Sequence, residues 1–199
     1  MVERFLRRYL KIDDKNLLDE VIRISTVEYF LKNEKLTRVG DRQEDIFLLM
    51  DGIFRGYLTD PEGKDFTDCF GFIPGTPAMG CTRLDLPAQL NIQALSDVAV
   101  LKIPVEDVMK LVKRYPEVAG IYNRYLTWSL EEHFEHDMVK STMSAGERYS
   151  WFIKKYPALL DKISHRYIAS FLNMVPQTLS KERAKLKKDC DDDFDESCT

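Results

Sequence analysis

Residues 163–188 read ISHRYIASFLNMVPQTLSKERAKLKK, and their division into two short helices decides the fold. Ser164 is placed to cap the first helix, whose buried face is Ile168, Phe171 and Leu172. Asn173 falls where the chain must turn, because Asn tolerates the left-handed conformation better than other non-glycine residues. Pro176 sits in the first turn of the second helix, where its missing N–H costs nothing. Met174, Val175 and Leu179 are expected to face back into the core, which leaves Gln177, Thr178, Ser180, Lys181, Arg183 and Lys185 outward. Two short helices with a tight turn, the second polar and basic outside, match a helix-turn-helix. In such a motif amides and hydroxyls read base edges, while Lys and Arg neutralise phosphates. Gln177, Ser180 and Lys181 are the expected base readers. Thr178, Arg183, Lys185 and His165 are the expected phosphate or backbone contacts.

The charge distribution agrees with this. The whole chain of 199 residues carries a net charge of −4, yet Lys140–Lys188 holds eleven Lys/Arg against three acids, Glu147, Asp161 and Glu182. A basic block inside an acidic protein implies a polyanionic partner for that block. Residues 189–199 follow with six acids and no base. This acidic tail either competes with DNA as a phosphate mimic or is a disordered, solubilising end.

Upstream, residues 3–30 read as helix, with Phe5, Leu6, Tyr9 and Leu10, then Leu17, Leu18, Val21 and Ile22, at helical spacing. From Phe30 to Ile103 short apolar runs (DIFLLM, IFRGYL, VAVLKI) alternate with turn signals at 39–41, 50–52, 60–63 and 73–77. Turns at this spacing between β-rich runs predict an antiparallel sandwich or barrel. After Pro104 the pattern is helical, with one break at Tyr115–Pro116 because the residue before a proline avoids the α region. The helix from Pro116 carries an apolar stripe of Val118, Ile121, Tyr122, Tyr125, Leu126, Leu130, Phe134 and Met138. Such a stripe suits packing on the β domain and a helix–helix dimer seam. Ser144 and Glu147 have capping-box spacing and mark a domain boundary.

Composition excludes several classes. No apolar run approaches the roughly 20 residues needed to span a bilayer, and the N-terminus lacks a cleavage site, so a cytoplasmic protein without membrane partners is expected. Cys69, Cys81, Cys190 and Cys198 form no CxxC and read as ordinary thiols. His133 and His136 in HFEH stand at i, i+3, but EEHFEHD reads as a solvated face rather than a metal site. With no nucleophile–base motif and no P-loop, neither an enzyme nor a cofactor is expected.

The order of elements, the stretch RVGDRQEDIFLLMDGIFRGYLTDPEGKDFTDCFG and the IASFL…P-x-TLS pattern together resemble the CRP/FNR superfamily of bacterial transcription regulators. The C-terminal segment is similar to its wingless helix-turn-helix subgroup. The resemblance implies an α+β fold: an N-terminal antiparallel β-roll of the cupin-like, cyclic-nucleotide-binding type (1–110), a long dimerisation helix (111–143) and a helix-turn-helix domain (144–188), with the acidic tail (189–199) as an addition. It also implies a homodimer on a two-fold symmetric duplex site, RNA polymerase as a further partner, and a small-molecule effector in the β-roll.

The chain departs from the family where a cyclic nucleotide would bind. There is no Glu between Glu62 and Glu106, and Ala88, Gln89 and Leu90 stand where the family has Arg-Ser/Thr-Ala. Losing a charged partner for a phosphate costs several kcal/mol, so cyclic AMP is not the expected effector. Arg83, Gln89, Tyr122, Tyr125 and Trp128 are the candidate effector contacts. The competing reading is a small-molecule or partner-binding sensor whose helix-turn-helix has lost specific DNA binding.

Overall fold

The computed structural model describes the backbone of residues 1–195 and the side chains of residues 1–186. The second short helix expected to end at 188 is corrected: the backbone stays helical through Asp195, into the acidic stretch, whereas the side chains of that stretch, with Cys190 and Cys198, lie outside those described. Contacts divide the chain into two compact units, Met1–Ser129 and the residues from Leu130 onward.

The first unit opens with α1 (Val2–Phe5), which continues as a π-helical turn over Leu6–Leu10. Helix α2 (Lys15–Ile24) begins at Asp14, whose carboxylate accepts from the Leu17 N–H at 2.8 Å. The expected single helix over 3–30 is therefore corrected twice. Lys11 adopts a left-handed conformation (φ 60°) that stops the first segment. After Ser25 the chain leaves the helix for strand β1 (Thr26–Phe30), which pairs with a strand some seventy residues later. Its β-branched and aromatic residues pack well on a pleated surface, and long-range pairing overrides the helical reading.

The remaining strands are β2 (Lys35–Thr37), β3 (Asp45–Asp51), β4 (Phe54–Thr59), β5 (Asp65–Gly71), β6 (Asn91–Ala94) and β7 (Val98–Pro104). They form two antiparallel sheets, ordered β1-β7-β3 and β2-β6-β4-β5. The apolar runs at 45–50, 53–58 and 98–103 become β3, β4 and β7 as expected. All four turn signals contain a glycine at positive φ: Gly40, Gly52, Gly63 and Gly75. At Gly52 the requirement is also steric, since an added Cβ would lie 2.4 Å from the Asp97 carbonyl oxygen.

Strand alternation gives each sheet two chemically distinct faces. Leu48 and Leu101 face the N-terminal helices, packing with Phe5, Leu6, Leu17 and Ile121. Their neighbours Leu49, Val98 and Val100 face the second sheet and pack on Phe54, Ile92 and Ala94. This is the β-roll, an antiparallel sandwich. Each such fully buried side chain contributes about 2 kcal/mol by leaving water.

Helices α3 (Val105–Arg114) and α4 (Pro116–Thr142) follow, separated at Tyr115 as the proline predicts. The predicted apolar stripe of α4 splits in use. Val118, Ile121 and Tyr125 pack into the first unit's core, while Leu130 and Phe134 are 72% and 68% exposed. The second unit adds α5 (Ala145–Lys155), a 3-10 turn at Pro157–Leu159, α6 (His165–Phe171) and α7 (Pro176–Asp195). Among the described residues no helix is long and apolar enough to cross a membrane.

Candidate nucleic-acid interface

Three helices hold the basic segment in place. Helix α5 starts with a reciprocal cap: the Ser144 hydroxyl accepts from the Glu147 N–H at 3.4 Å, and the Glu147 carboxylate accepts from the Ser144 N–H at 2.8 Å. Such a box contributes about 1 kcal/mol and fixes where the helix begins. Beneath it Tyr149, Phe152, Leu159, Ile163, Ile168, Phe171, Leu172 and Leu179 are buried. Ser164 caps α6, accepting from the Arg166 N–H at 3.4 Å.

Between α6 and α7 the chain turns at Asn173, at φ 49°, the left-handed conformation its residue type predicts. The Met174 N–H donates back to the Ala169 carbonyl at 2.9 Å and closes the turn. Pro176 opens α7. Along α7, Gln177, Ser180, Lys181 and Lys185 are exposed, whereas Leu179 is buried at 1%. These four residues recur at helical spacing on the face away from Leu179. Val175 departs from expectation: it is 51% exposed rather than turned to the core, because it lies in the connection ahead of Pro176, outside the helical register that buries Leu179. Thr178 and Arg183 are half-buried, and Arg183 Nη1 lies 3.2 Å from His165 Nδ1. His165, at the first position of α6, is exposed.

The HFEH stretch is not uniformly solvated. His133 is exposed, but His136 is buried at 4%, its Nε2 2.8 Å from the Phe171 carbonyl oxygen. Its ring stacks on Phe171 at 3.8 Å between centroids and lies parallel to Trp151 at 6.1 Å. The expected solvated face is thereby corrected: position 136 points at aromatic side chains from α5 and α6. Nearby, the Trp151 indole donates to Glu135 at 2.8 Å, and Lys155 pairs with Glu132 at 2.9 Å and with Glu135. The hydrogen bond from Lys155 holds the Glu135 carboxyl below its ordinary range. These bonds tie the second half of α4 to the helices that carry α7. Sequence reasoning missed Trp151 and His136 because their partners are distant in the chain.

In the first unit the segment between β5 and β6 holds two of the candidate effector residues, Arg83 and Gln89, and α4 holds the other three. Arg83 is an exposed ion pair with Asp85, and the Asp85 hydrogen bond raises its guanidinium pKa further. Its charge is engaged by a neighbouring carboxylate rather than kept for an anion. Gln89 is exposed, and its N–H donates to the Gly80 carbonyl at 2.8 Å, as does that of Leu90 at 2.9 Å. Ala88, where the resemblance puts an arginine, is buried at 3%, and a Cβ added at Gly80 would meet its methyl at 2.6 Å. From α4, the Tyr122 hydroxyl donates to the Thr82 carbonyl and Tyr125 to that of Gly75, and burial raises both phenol pKa values. Trp128 is 39% exposed. Tyr122 and Tyr125 thus meet this loop segment, whereas Arg83 and Gln89 are exposed and Trp128 is partly covered.

Two residues of this unit escaped the sequence reading. Gln43 donates to the carbonyls of Arg83 (2.9 Å) and Leu86 (3.2 Å) and accepts from the Cys81 N–H (3.2 Å), filling the loop with its own amide. Arg55 is buried at 2% and bonds Asp65 at 2.6 Å, Gln93 at 2.9 Å and Thr67 at 3.3 Å, with its guanidinium 3.8 Å above the Tyr57 ring. An arginine between Phe54 and Gly56 in an otherwise apolar strand, with Asp and Thr in the next strand, is the signal that would have found it. Burial pushes the Cys69 thiol up to about 12, so it is inert at neutral pH.

No protein-family model and no curated protein matches the sequence. Solved structures do match it. FixK2 from Bradyrhizobium japonicum superimposes with a TM-score of 0.74 at 19% identity, covering 83% of this chain and 86% of its own. The c-di-GMP-responsive global regulator CLP of Xanthomonas campestris gives 0.72 at 12% identity, covering 88% and 93%. A Eubacterium rectale protein assigned to the CRP/FNR family of transcriptional regulators gives 0.71 at 14% identity, covering 94% and 88%. At these identities the likeness is one of fold. The chain has the β-roll and helical architecture of CRP/FNR-type regulators along most of its length.

Proposed function

We propose that this chain is a transcription regulator of the CRP/FNR type, a homodimer that reads two-fold symmetric duplex DNA with a pair of α7 helices. The observation that carries the reading is the exposure of Gln177, Ser180, Lys181 and Lys185 on one face of a helix anchored by buried Leu179. The exposed amide, hydroxyl and ammonium of Gln177, Ser180 and Lys181 supply base-edge donors and acceptors near the helix start, and Lys185 supplies phosphate neutralisation further along. Thr178, Arg183 and His165 flank that face and contact the backbone.

Leu130, Phe134 and Met138 recur every four residues on α4 and are exposed, which supports a seam with a second copy of the same helix. Pairing there would set two α7 helices for half-sites about one helical turn, roughly 34 Å, apart. Control would act through the β5–β6 segment, which Tyr122 and Tyr125 join to the start of α4. An effector would displace the contacts of Gln43 and Arg83, since Ala88 offers no charge for a cyclic phosphate. The mechanism is a shift between two placements of the recognition helices.

The test is selection of bound duplexes from a random pool, followed by salt titration of the winner. A symmetric site with a steep salt dependence is expected. Replacing Gln177 then relaxes one base position by about 1–3 kcal/mol, while Lys185→Ala weakens all sequences alike. Absence of any enriched site would refute the reading.

A further inference from the structure

Arg183 and His165 come from the two helices of the motif and share one hydrogen bond, Nη1 to Nδ1 at 3.2 Å. A guanidinium has only donors, so Nδ1 must offer its lone pair. The imidazole is therefore neutral in this arrangement, with its proton on Nε2. Protonation would set one cation against another and break the contact. Three influences act on the ring: partial burial and Arg183 lower its pKa below the ordinary histidine value, and Asp161, ahead of α6, opposes them. Its neighbour Arg166 is turned to the Tyr167 hydroxyl at 3.1 Å.

A phosphate diester at this point changes the balance. It accepts from both residues at once, and its negative charge cancels the repulsion between them. We propose that His165 and Arg183 close on a single DNA phosphate as a clamp spanning both helices, and that His165 takes up a proton from water as the phosphate enters. The Arg183–His165 hydrogen bond is exchanged for two N–H···O bonds to phosphate oxygens. This rests on the DNA-binding reading above and names the residues that make that binding depend on pH.

The direction follows from linkage. The free-state pKa is lowered and the bound-state pKa is raised by the anion, so the complex holds the extra proton. Affinity is greatest below the free-state pKa, falls as pH rises between the free and bound values, and is flat above the bound value. The experiment uses the full chain and a short duplex of arbitrary sequence at low salt, since phosphate contacts need no specific site. From pH 5.5 to 8 affinity is expected to fall on the order of tenfold. His165→Gln, which cannot be protonated, removes that slope, and the His165 ring signals in magnetic resonance titrate at higher pH once duplex is added. If the duplex binds while wild type and His165→Gln share one pH profile, or the ring titrates identically with and without DNA, the clamp is overturned and DNA binding stands. If no duplex binds at any pH, both readings fall together.

Discussion

Arg55 in the first unit and Lys181 and Lys185 of α7 in the second carry their charge in opposite ways. In the β-roll, Arg55 is buried and bonds Asp65, Thr67 and Gln93. In the helical unit, Lys181 and Lys185 stand exposed on α7. A charge taken out of water must be compensated inside the fold, because its desolvation otherwise costs several kcal/mol. A charge left at the surface costs the fold little and remains available to a polyanion. The contrast separates cations that hold the architecture from cations that can meet a partner, which net charge alone cannot do.

The sharpest way to break the contrast is at Arg55. Arg55→Ala leaves Asp65, Thr67 and Gln93 facing a space that only their own reorganisation fills, and is expected to cost about 3 kcal/mol of stability. Chemical denaturation followed by circular dichroism reads this directly. Lys185→Ala in the same assay should change stability by less than about 0.5 kcal/mol, as surface substitutions do. If the two losses were equal, the distinction between architectural and available charge would collapse.

The exposed stretch of α4 extends the same contrast to apolar residues. Phe134 is 68% exposed where Ile121, thirteen residues earlier, is buried. Phe134→Glu is expected to weaken self-association by about 2 kcal/mol, close to thirtyfold in the dimer dissociation constant, with little effect on folding. Sedimentation across a concentration series measures it. An unchanged monomer–dimer equilibrium would remove the seam from the mechanism and leave α4 as a connector.

Which parts of this were legible in the chain follows from the range of the forces. The strands β3, β4 and β7 and their turns could be read because alternation and turn glycines act over a few residues. The α6–α7 turn was readable for the same reason, through Asn173 and Pro176. Strand β1 was not, because TVEYF becomes a strand only by pairing with β7, far along the chain. His136 looked solvated within EEHFEHD because the rings that bury it belong to α5 and α6. Gln43 sits among the polar residues of DRQED, and nothing local marks it as the amide that fills the 81–86 loop. Arg83 was singled out for its isolation in the sequence, but Asp85, two residues on, claims it. On α7 the exposure of Gln177, Ser180, Lys181 and Lys185 was legible, but the half-burial of Thr178 and Arg183 was not, nor was the His165–Arg183 contact, which joins positions 18 residues apart.

A loss smaller than that at Arg55 or Phe134 is expected at the start of α5. Ser144→Ala removes the hydroxyl that accepts from the Glu147 N–H and donates to the Glu147 carboxylate at 2.7 Å, but leaves that carboxylate on the Ser144 backbone N–H. A loss of about 1 kcal/mol is expected. Separately, the hydrogen bonds from the Ser144 hydroxyl and backbone hold the Glu147 carboxyl below its ordinary value, so the carboxylate's half of the cap is present above the unfolded carboxylate range and fades as pH falls through the lowered folded value. Amide exchange resolves where the loss falls. Faster exchange confined to the first turn of α5, with Leu179 and the α7 core unchanged, would show a local cap. Loss of protection spreading into α6 and α7 would instead make the box part of what holds the recognition helix, and DNA affinity would then fall with it.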